Sequence, residues 1–233
     1  MDSTWQTRTK GVLGENGIEK LKNSCVAVVG LGGVGSFAFE ALVRAGVGKL
    51  IIIDHDVVDV SNINRQLVAT KKTVGKPKVE IAKEHALEKN DEVRIIAIKE
   101  FISSENAKEL LGENVDIIID AIDSVNSKVE LVEFASANNI EIISSMGTAN
   151  KLDPLSFKFG DIFETSVDPL AKIMRKKLKD KGVQKLKVIY STEQPKKNSE
   201  DPTILGSVSY VPSACGLVLA SKAVNYLIDE RWG

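Results

Sequence analysis

Hydrophobic positions along this chain come in two rhythms. Short, continuous, β-branched runs recur at 25–29, 50–53, 93–98, 115–121 and 141–145. Between them, at 37–45, 78–87, 105–111 and 126–137, apolar residues are spaced three and four apart. Continuous apolar runs of that length suit strands buried on both faces, and the wider spacing suits amphipathic helices. Strand and helix alternate, which predicts a parallel sheet with helices on both faces. Before the first strand, 4–11 is polar and 15–22 has helical character. Ser61 is placed to cap a short helix through Leu67, and Ser103 to cap the helix over 105–111. Val74-Gly75-Lys76-Pro77-Lys78 reads as a turn whose proline opens the helix after it. Beyond residue 150 the rhythm loosens. A strand at 155–159 runs into a turn at Gly160-Asp161, and a basic helix follows at 168–181. A strand at 187–191, a polar loop at 193–206 expected to be mobile, and an apolar helix at 213–228 complete the chain.

The first β-α-β unit carries a chemical signature. Strand 25–29 enters Gly30-Leu31-Gly32-Gly33-Val34-Gly35, which fits G-x-G-x-x-G, and the second strand ends in Asp54. Glycines let the backbone approach phosphates, the helix start offers free N–H groups, and an acid at the second strand end accepts from ribose hydroxyls. The fold class is therefore α/β: a Rossmann-like, mostly parallel sheet with helices on both faces, extended by a C-terminal strand and helix region. Residues 1–233 read as one domain, with a nucleotide-binding core over 1–150 and a substrate-side extension over 151–233.

Charge and cysteine content narrow the function. A net charge of -1 gives no global case for nucleic-acid binding, so any such contact must be a local patch. The two cysteines, Cys25 and Cys215, read as small buried hydrophobes and offer no C-x-x-C pair, so no zinc is expected. Met1–Lys22 lacks the apolar core of a signal peptide, and 214–228 is interrupted by Lys222 and Asn225. A cytoplasmic protein without membrane association is the expectation.

Ligands of open α/β sheets lie outside the carboxyl ends of the strands. Three such ends carry polar groups here: 30–35, 54–65 and 120–124. Asp54 is placed for a ribose, Asn62, Arg65 and Lys78 for a triphosphate, and Asp123 for Mg²⁺, which favours carboxylate and phosphate oxygens. Taken singly, Arg65 and Lys78 are solvated charges and Asp123 a helix cap. Together they describe an ATP site without a Walker lysine. A dinucleotide-dependent oxidoreductase would use Asp54 equally well, but not the cluster of Asn62, Arg65 and Lys78. A nucleotide-regulated binding module would bind ATP without pyrophosphate exchange.

These same stretches resemble the ThiF/MoeB/HesA family, the adenylating domain shared with ubiquitin-activating enzymes. The resemblance rests on Gly30–Gly35, Asp54-x-Asp56, Ser61-Asn62-Ile63-Asn64-Arg65-Gln66, the 74–78 turn and Asp120-Ala121-Ile122-Asp123 with Ser124. It implies activation of a carboxylate as an acyl-adenylate with release of pyrophosphate. It also implies a nucleotide-binding set of Gly30, Gly32, Gly33, Gly35, Asp54, Asp56, Asn62, Arg65, Gln66, Lys78 and Ser124, with Mg²⁺ on Asp123. Arg65, Lys78 and Asp123 would act on the reacting phosphates. Arg8 matches an arginine that reaches into the neighbouring subunit's ATP site, which implies a homodimer. A monovalent cation site, if present, would be built largely of backbone oxygens.

The second half resembles the branch of tRNA threonylcarbamoyladenosine dehydratases, through Arg8-Thr9 with Gly14-Glu15, Asp168-Pro169-Leu170-Ala171 and Tyr190-Ser191-Thr192-Glu193-Gln194-Pro195. That implies ATP-dependent loss of water from the modified adenosine beside the anticodon. In the basic helix, Lys172, Arg175, Lys176 and Lys179 share one face and would contact tRNA. Lys196 and Lys197 add charge in the loop. A sulfur-transfer protein partner is compatible with this reading. The alternative is activation of the C-terminal carboxylate of a ubiquitin-like sulfur carrier, with a groove near 145–151 taking its glycine tail. The missing zinc cysteines and the basic helix argue against it.

Overall fold

A computed structural model of the chain describes residues 4–112, 114–196, 201 and 204–229. Its centre is a seven-stranded sheet made of β1 (Cys25–Val29), β2 (Lys49–Ile53), β3 (Arg94–Ile98), β4 (Ile117–Asp120), β5 (Glu141–Ser145), β6 (Phe157–Asp161) and β7 (Lys187–Ser191), in the spatial order β3-β2-β1-β4-β5-β7-β6. All neighbours run parallel except β6, which lies antiparallel to β7 at the edge. The chain builds outward from β1 through β2 to β3, then crosses back to lay β4 on the other flank of β1. The carboxyl ends of β1 and β4 therefore frame a switch point, where a crevice must open.

Alternate side chains of the strands feed two cores. Val26, Val28, Leu50, Ile52, Ile117 and Ile119 pack with α1 (Thr7–Lys22), α2 (Gly35–Ala45), α3 (Lys78–Leu87) and α7 (Tyr210–Leu227). Ala27, Val29, Ile51, Ile53 and Ile118 face α4 (Ala107–Leu111), α5 (Val125–Ala137) and α6 (Pro169–Asp180). Burial on both faces is why these strands are β-branched throughout rather than alternating. Helix α7 packs tightly on α2 at Gly216, where a Cβ would collide with the Val34 carbonyl oxygen. Two elements of the second half, β7 and β6, extend the same sheet. Among the described residues no helix is long and apolar enough to cross a membrane.

Several boundaries differ from those expected. Ser61 caps no helix: it sits within a 3-10 turn, Val60–Asn62, whose cap is Asp59, its carboxylate accepting from the Ser61 N–H at 2.8 Å. Ser103 lies outside α4, and its N–H donates to Asn106 Oδ1 at 2.8 Å, leaving a five-residue helix. The turn expected at Gly160-Asp161 is the end of β6, paired with Val188 and Lys187. The Asp161 carboxylate accepts from Phe163 N–H at 2.9 Å, so the chain turns after it. Leu155 belongs to a 3-10 turn, Pro154–Ser156, and the strand starts at Phe157. Helix α1 begins at Thr7, earlier than expected, and kinks at Gly14, where φ is 70°. Its first five residues, 7–11, carry no large apolar side chain, so hydrophobic spacing could not reveal its start.

Candidate nucleotide site

The glycine turn is fixed by contacts no other residue would permit. Gly30 has φ 89°, and a Cβ there would sit 2.6 Å from the Ala121 carbonyl oxygen; a Cβ on Gly35 would collide with the Gly30 carbonyl. The Gly30 N–H donates to the Ile53 carbonyl at 2.8 Å and the Leu31 N–H to Asp54 Oδ2 at 2.6 Å. The end of β2 thus holds the turn in register. At its amino end α2 carries no side-chain cap, and neither do α3 and α5. All three, with α6, begin at the rim of one cavity of about 630 Å³ at the switch point. Uncapped helix starts present N–H groups and positive dipole ends, so the cavity favours anions.

Most residues expected at the site line this cavity: Gly30, Gly32, Gly33, Asp54, Asp56, Asn62, Arg65, Gln66, Lys78, Asp123 and Ser124. Gly35 stands directly behind the turn. The charges among them are not equivalent. Lys78 is nearly fully buried and paired with Asp56 at 2.7 Å, so its charge is already compensated, and Asp54 Oδ1 lies 4.0 Å away. Asp54 itself accepts two backbone N–H bonds, from Leu31 and, at 2.9 Å, from Asp56. Each of its oxygens has a second lone pair for a ligand hydroxyl. Arg65 differs: its guanidinium reaches only neutral acceptors, Ser61 O and Asn64 Oδ1, both at 2.9 Å. Asp123 is exposed and has no hydrogen-bond or ionic partner among the described residues. The cap position of α5 is held by Ser124, whose side chain makes no cap hydrogen bond, and not by Asp123, which removes the helix-cap reading of that carboxylate. Gln66 is buried with Oε1 unpartnered, which leaves an acceptor in the cavity wall that a ligand donor would satisfy.

Beneath the floor lies a second charge pair. Lys128 and Asp120 are both fully buried and 2.8 Å apart. Asp120 Oδ1 accepts from the Ile122 N–H at 3.1 Å, and its carbonyl accepts from Ser145 Oγ at 3.3 Å. The pair fixes the turn that presents Asp123. Sequence reasoning missed it, because nothing in a helical lysine's spacing shows its partner. It also missed Phe101 and Ile102 after β3, although the strand-end rule points there. Phe101 packs edge-on to His55 with ring centres 5.1 Å apart, and both rings line the cavity. The cavity is also lined by 145–151, Pro169, Leu170, Leu205 and Pro212.

The remaining expected residues lie elsewhere. Arg8 is exposed on the first turn of α1, outside its own chain's cavity. On α6, Ala171, Met174 and Leu178 face the core while Lys172, Lys176 and Lys179 are exposed. Arg175 departs from this set: it is half-buried and donates to the Thr165 carbonyl at 3.0 Å and to the Thr165 hydroxyl. Lys197 and part of the 193–206 loop lie outside the described residues. Both cysteines are free and buried, and burial pushes the Cys215 thiol up to about 12 from its ordinary 9.0.

Comparison with known proteins agrees with this architecture. Residues 6–231 match the ThiF family model. The tRNA threonylcarbamoyladenosine dehydratase of Bacillus subtilis is 40% identical over 96% of this chain and 94% of its own length. Two solved structures of Escherichia coli tRNA N6-threonylcarbamoyladenosine dehydratase, one with AMP and one with ATP, are each 32% identical. They superpose with TM-scores of 0.92 and 0.91, covering 98% of this chain and 96% of theirs. With a glycine turn, a carboxylate at the end of β2 and two charges without ionic partners lining one cavity at the β1/β4 switch point, the chain belongs to the ThiF family of adenylating enzymes.

Proposed function

We propose that this chain is an ATP-dependent tRNA threonylcarbamoyladenosine dehydratase. The observation that carries the reading is the pair of uncompensated charges, Arg65 and Asp123, that line one cavity together with the glycine turn. The full-length similarity to enzymes of that name supports the choice of substrate. In this reading ATP lies with its ribose at Asp54 and its phosphates over the glycine turn, near Asn62, Arg65 and Lys78. The threonyl carboxylate of the modified adenosine attacks the α-phosphorus, pyrophosphate leaves, and an acyl-adenylate forms. The neighbouring carbamoyl group then bonds to the acyl carbon and loses a proton, while AMP departs with a carboxylate oxygen. The net change in the base is loss of one water and closure of a ring.

Arg65 supplies positive charge where two anions must meet, and its neutral hydrogen-bond partners leave that charge undiminished. The unpartnered Asp123 carboxylate fits Mg²⁺, which when bound screens the phosphates and improves pyrophosphate as a leaving group. The exposed Arg8 serves the partner subunit's site in a homodimer. The lysines of α6 contact the tRNA backbone, with the 151–233 half as the tRNA side. The setting is the cytoplasm.

The test uses tRNA carrying threonylcarbamoyladenosine, incubated with enzyme, Mg²⁺ and ATP, digested gently, and read by mass spectrometry. An ATP-dependent loss of one water is expected. Arg65→Ala and Asp123→Ala should each lower turnover by about 100-fold or more while the melting temperature holds. Mixed Arg8→Ala and Asp123→Ala subunits should recover part of the activity, and no recovery after proven exchange removes the shared site. No water loss on authenticated substrate, with pyrophosphate exchange only when a glycine-ended carrier protein is added, overturns the reading.

A further inference from the structure

One stretch of the cavity lining is held by a buried ion pair that the ATP chemistry does not use. Lys151 and Asp168 lie 2.9 Å apart, with side chains 1% and 0% exposed. Lys151 Nζ also donates to the Gly147 carbonyl. Asp168 Oδ1 accepts from the Ala171 N–H at 2.9 Å, capping α6, and from the Gly147 N–H at 3.4 Å. One carboxylate therefore ties the start of the basic helix to the segment leaving β5. The backbone bends sharply to bring it there. Val167 has φ 69°, and the Asp168 N–H donates to the Ser166 carbonyl at 2.7 Å, closing a three-residue turn. A β-branched residue at positive φ is strained, and the surrounding contacts must hold it.

The neighbouring residue fastens the 193–206 loop. Asn150 has φ 59°; its N–H donates to the Gly206 carbonyl at 2.8 Å and its Oδ1 accepts from the Gly206 N–H at 2.7 Å. Its carbonyl accepts from the Lys196 N–H at 2.7 Å. Glu193 accepts from the Leu152 and Asp153 N–H groups at 2.9 and 2.8 Å. Residues 150–153 thus gather both ends of the loop, while Lys151 gathers α6. Gly147, Asn150, Lys151, Pro169 and Leu205 all line the cavity.

We propose that Lys151 and Asp168 are positioning residues for the polynucleotide substrate: their buried pair sets the acceptor-side wall and the basic helix in one register. The proposal rests on the tRNA reading above. In that reading ATP is held by Asp54, Asn62, Arg65 and Lys78, none of which the pair contacts, so the pair acts on KM for tRNA and on transfer, and leaves ATP affinity alone.

A lone Lys151→Met leaves a buried carboxylate unpaired and is expected to unfold easily. The decisive variant is therefore Lys151→Met/Asp168→Asn, in which both charges are gone and the amide retains the cap on α6. Titration with a fluorescent ATP analogue should give a Kd within about twofold of the natural chain. On modified tRNA, kcat/KM should fall about 10- to 100-fold, mainly through KM for tRNA. Lys151→Arg should return part of that loss. Unchanged kcat/KM in the neutral double variant overturns the clamp. A parallel loss of ATP affinity also overturns it, because the pair would then support the whole cavity. If the natural chain itself removes no water from modified tRNA, the functional reading fails and the clamp falls with it.

Discussion

At the scale of single residues, the site depends on which charges are compensated and which are not. Lys78, Lys128 and Lys151 are all buried, and each has a carboxylate within 2.9 Å. Arg65 and Asp123 have no ionic partner among the described residues. The first group builds shape, and the second is available to act on a ligand. The distinction has a measurable side. Lys128→Met should cost about 3–5 kcal/mol, because Asp120 stays buried with its charge unpaired. Adding Asp120→Asn should return most of that in urea unfolding. A single variant as stable as the natural chain would show that water or another group reaches Asp120. Sequence made Arg65, Lys78 and Asp123 visible because they fall at strand ends and inside an ordered motif. It left Lys128 and Lys151 unseen, since a buried ion pair has no periodicity to show which two residues meet.

Helix α6 shows what an element adds. Its apolar spacing placed Ala171, Met174 and Leu178 on the core and the cations outside, as amphipathic spacing should. The geometry removed Arg175 from the outer set by tying it to Thr165. The exposed Lys172, Lys176 and Lys179 remain. Replacing those three by alanine should weaken tRNA binding and flatten its dependence on salt, by roughly 0.7–0.9 in the log–log slope for each phosphate that is no longer neutralised. Filter binding between low and moderate salt reads this directly, and an unmoved slope would make the face merely solvated. Strand elements were the most legible: β1, β5 and β7 carry the expected bounds. Boundaries set by a carboxylate accepting a backbone N–H, at Asp59, Asp153 and Asp161, were the least legible, because hydrophobic spacing carries no trace of them.

For the whole molecule, alternation of strands and helices was enough to predict the parallel sheet, and the glycine motif enough to locate its switch point. The irregular second half concealed how β6 and β7 close the sheet and how α7 returns to α2. That return has a consequence for synthesis. Gly33 lies against Pro212 of α7, and Gly216 lies under the Val34 carbonyl, so a helix made late covers a turn made early. A growing chain carries Gly30, Asp54 and Asp123 outside the ribosome well before α7 rests on the glycine turn. The apolar face of α2 that meets Cys215 and Leu219 is then bare. We expect ribosome-bound chains stopped before residue 210 to pass through immobilised ATP, and chains extended beyond α7 by enough residues to clear the exit tunnel to be retained. Retention of the shorter chains would mean that the glycine turn sets without its cover. If the expectation holds, ATP becomes a ligand of this chain only once α7 has left the ribosome, and until then the exposed α2 face is a surface for chaperones rather than for substrate.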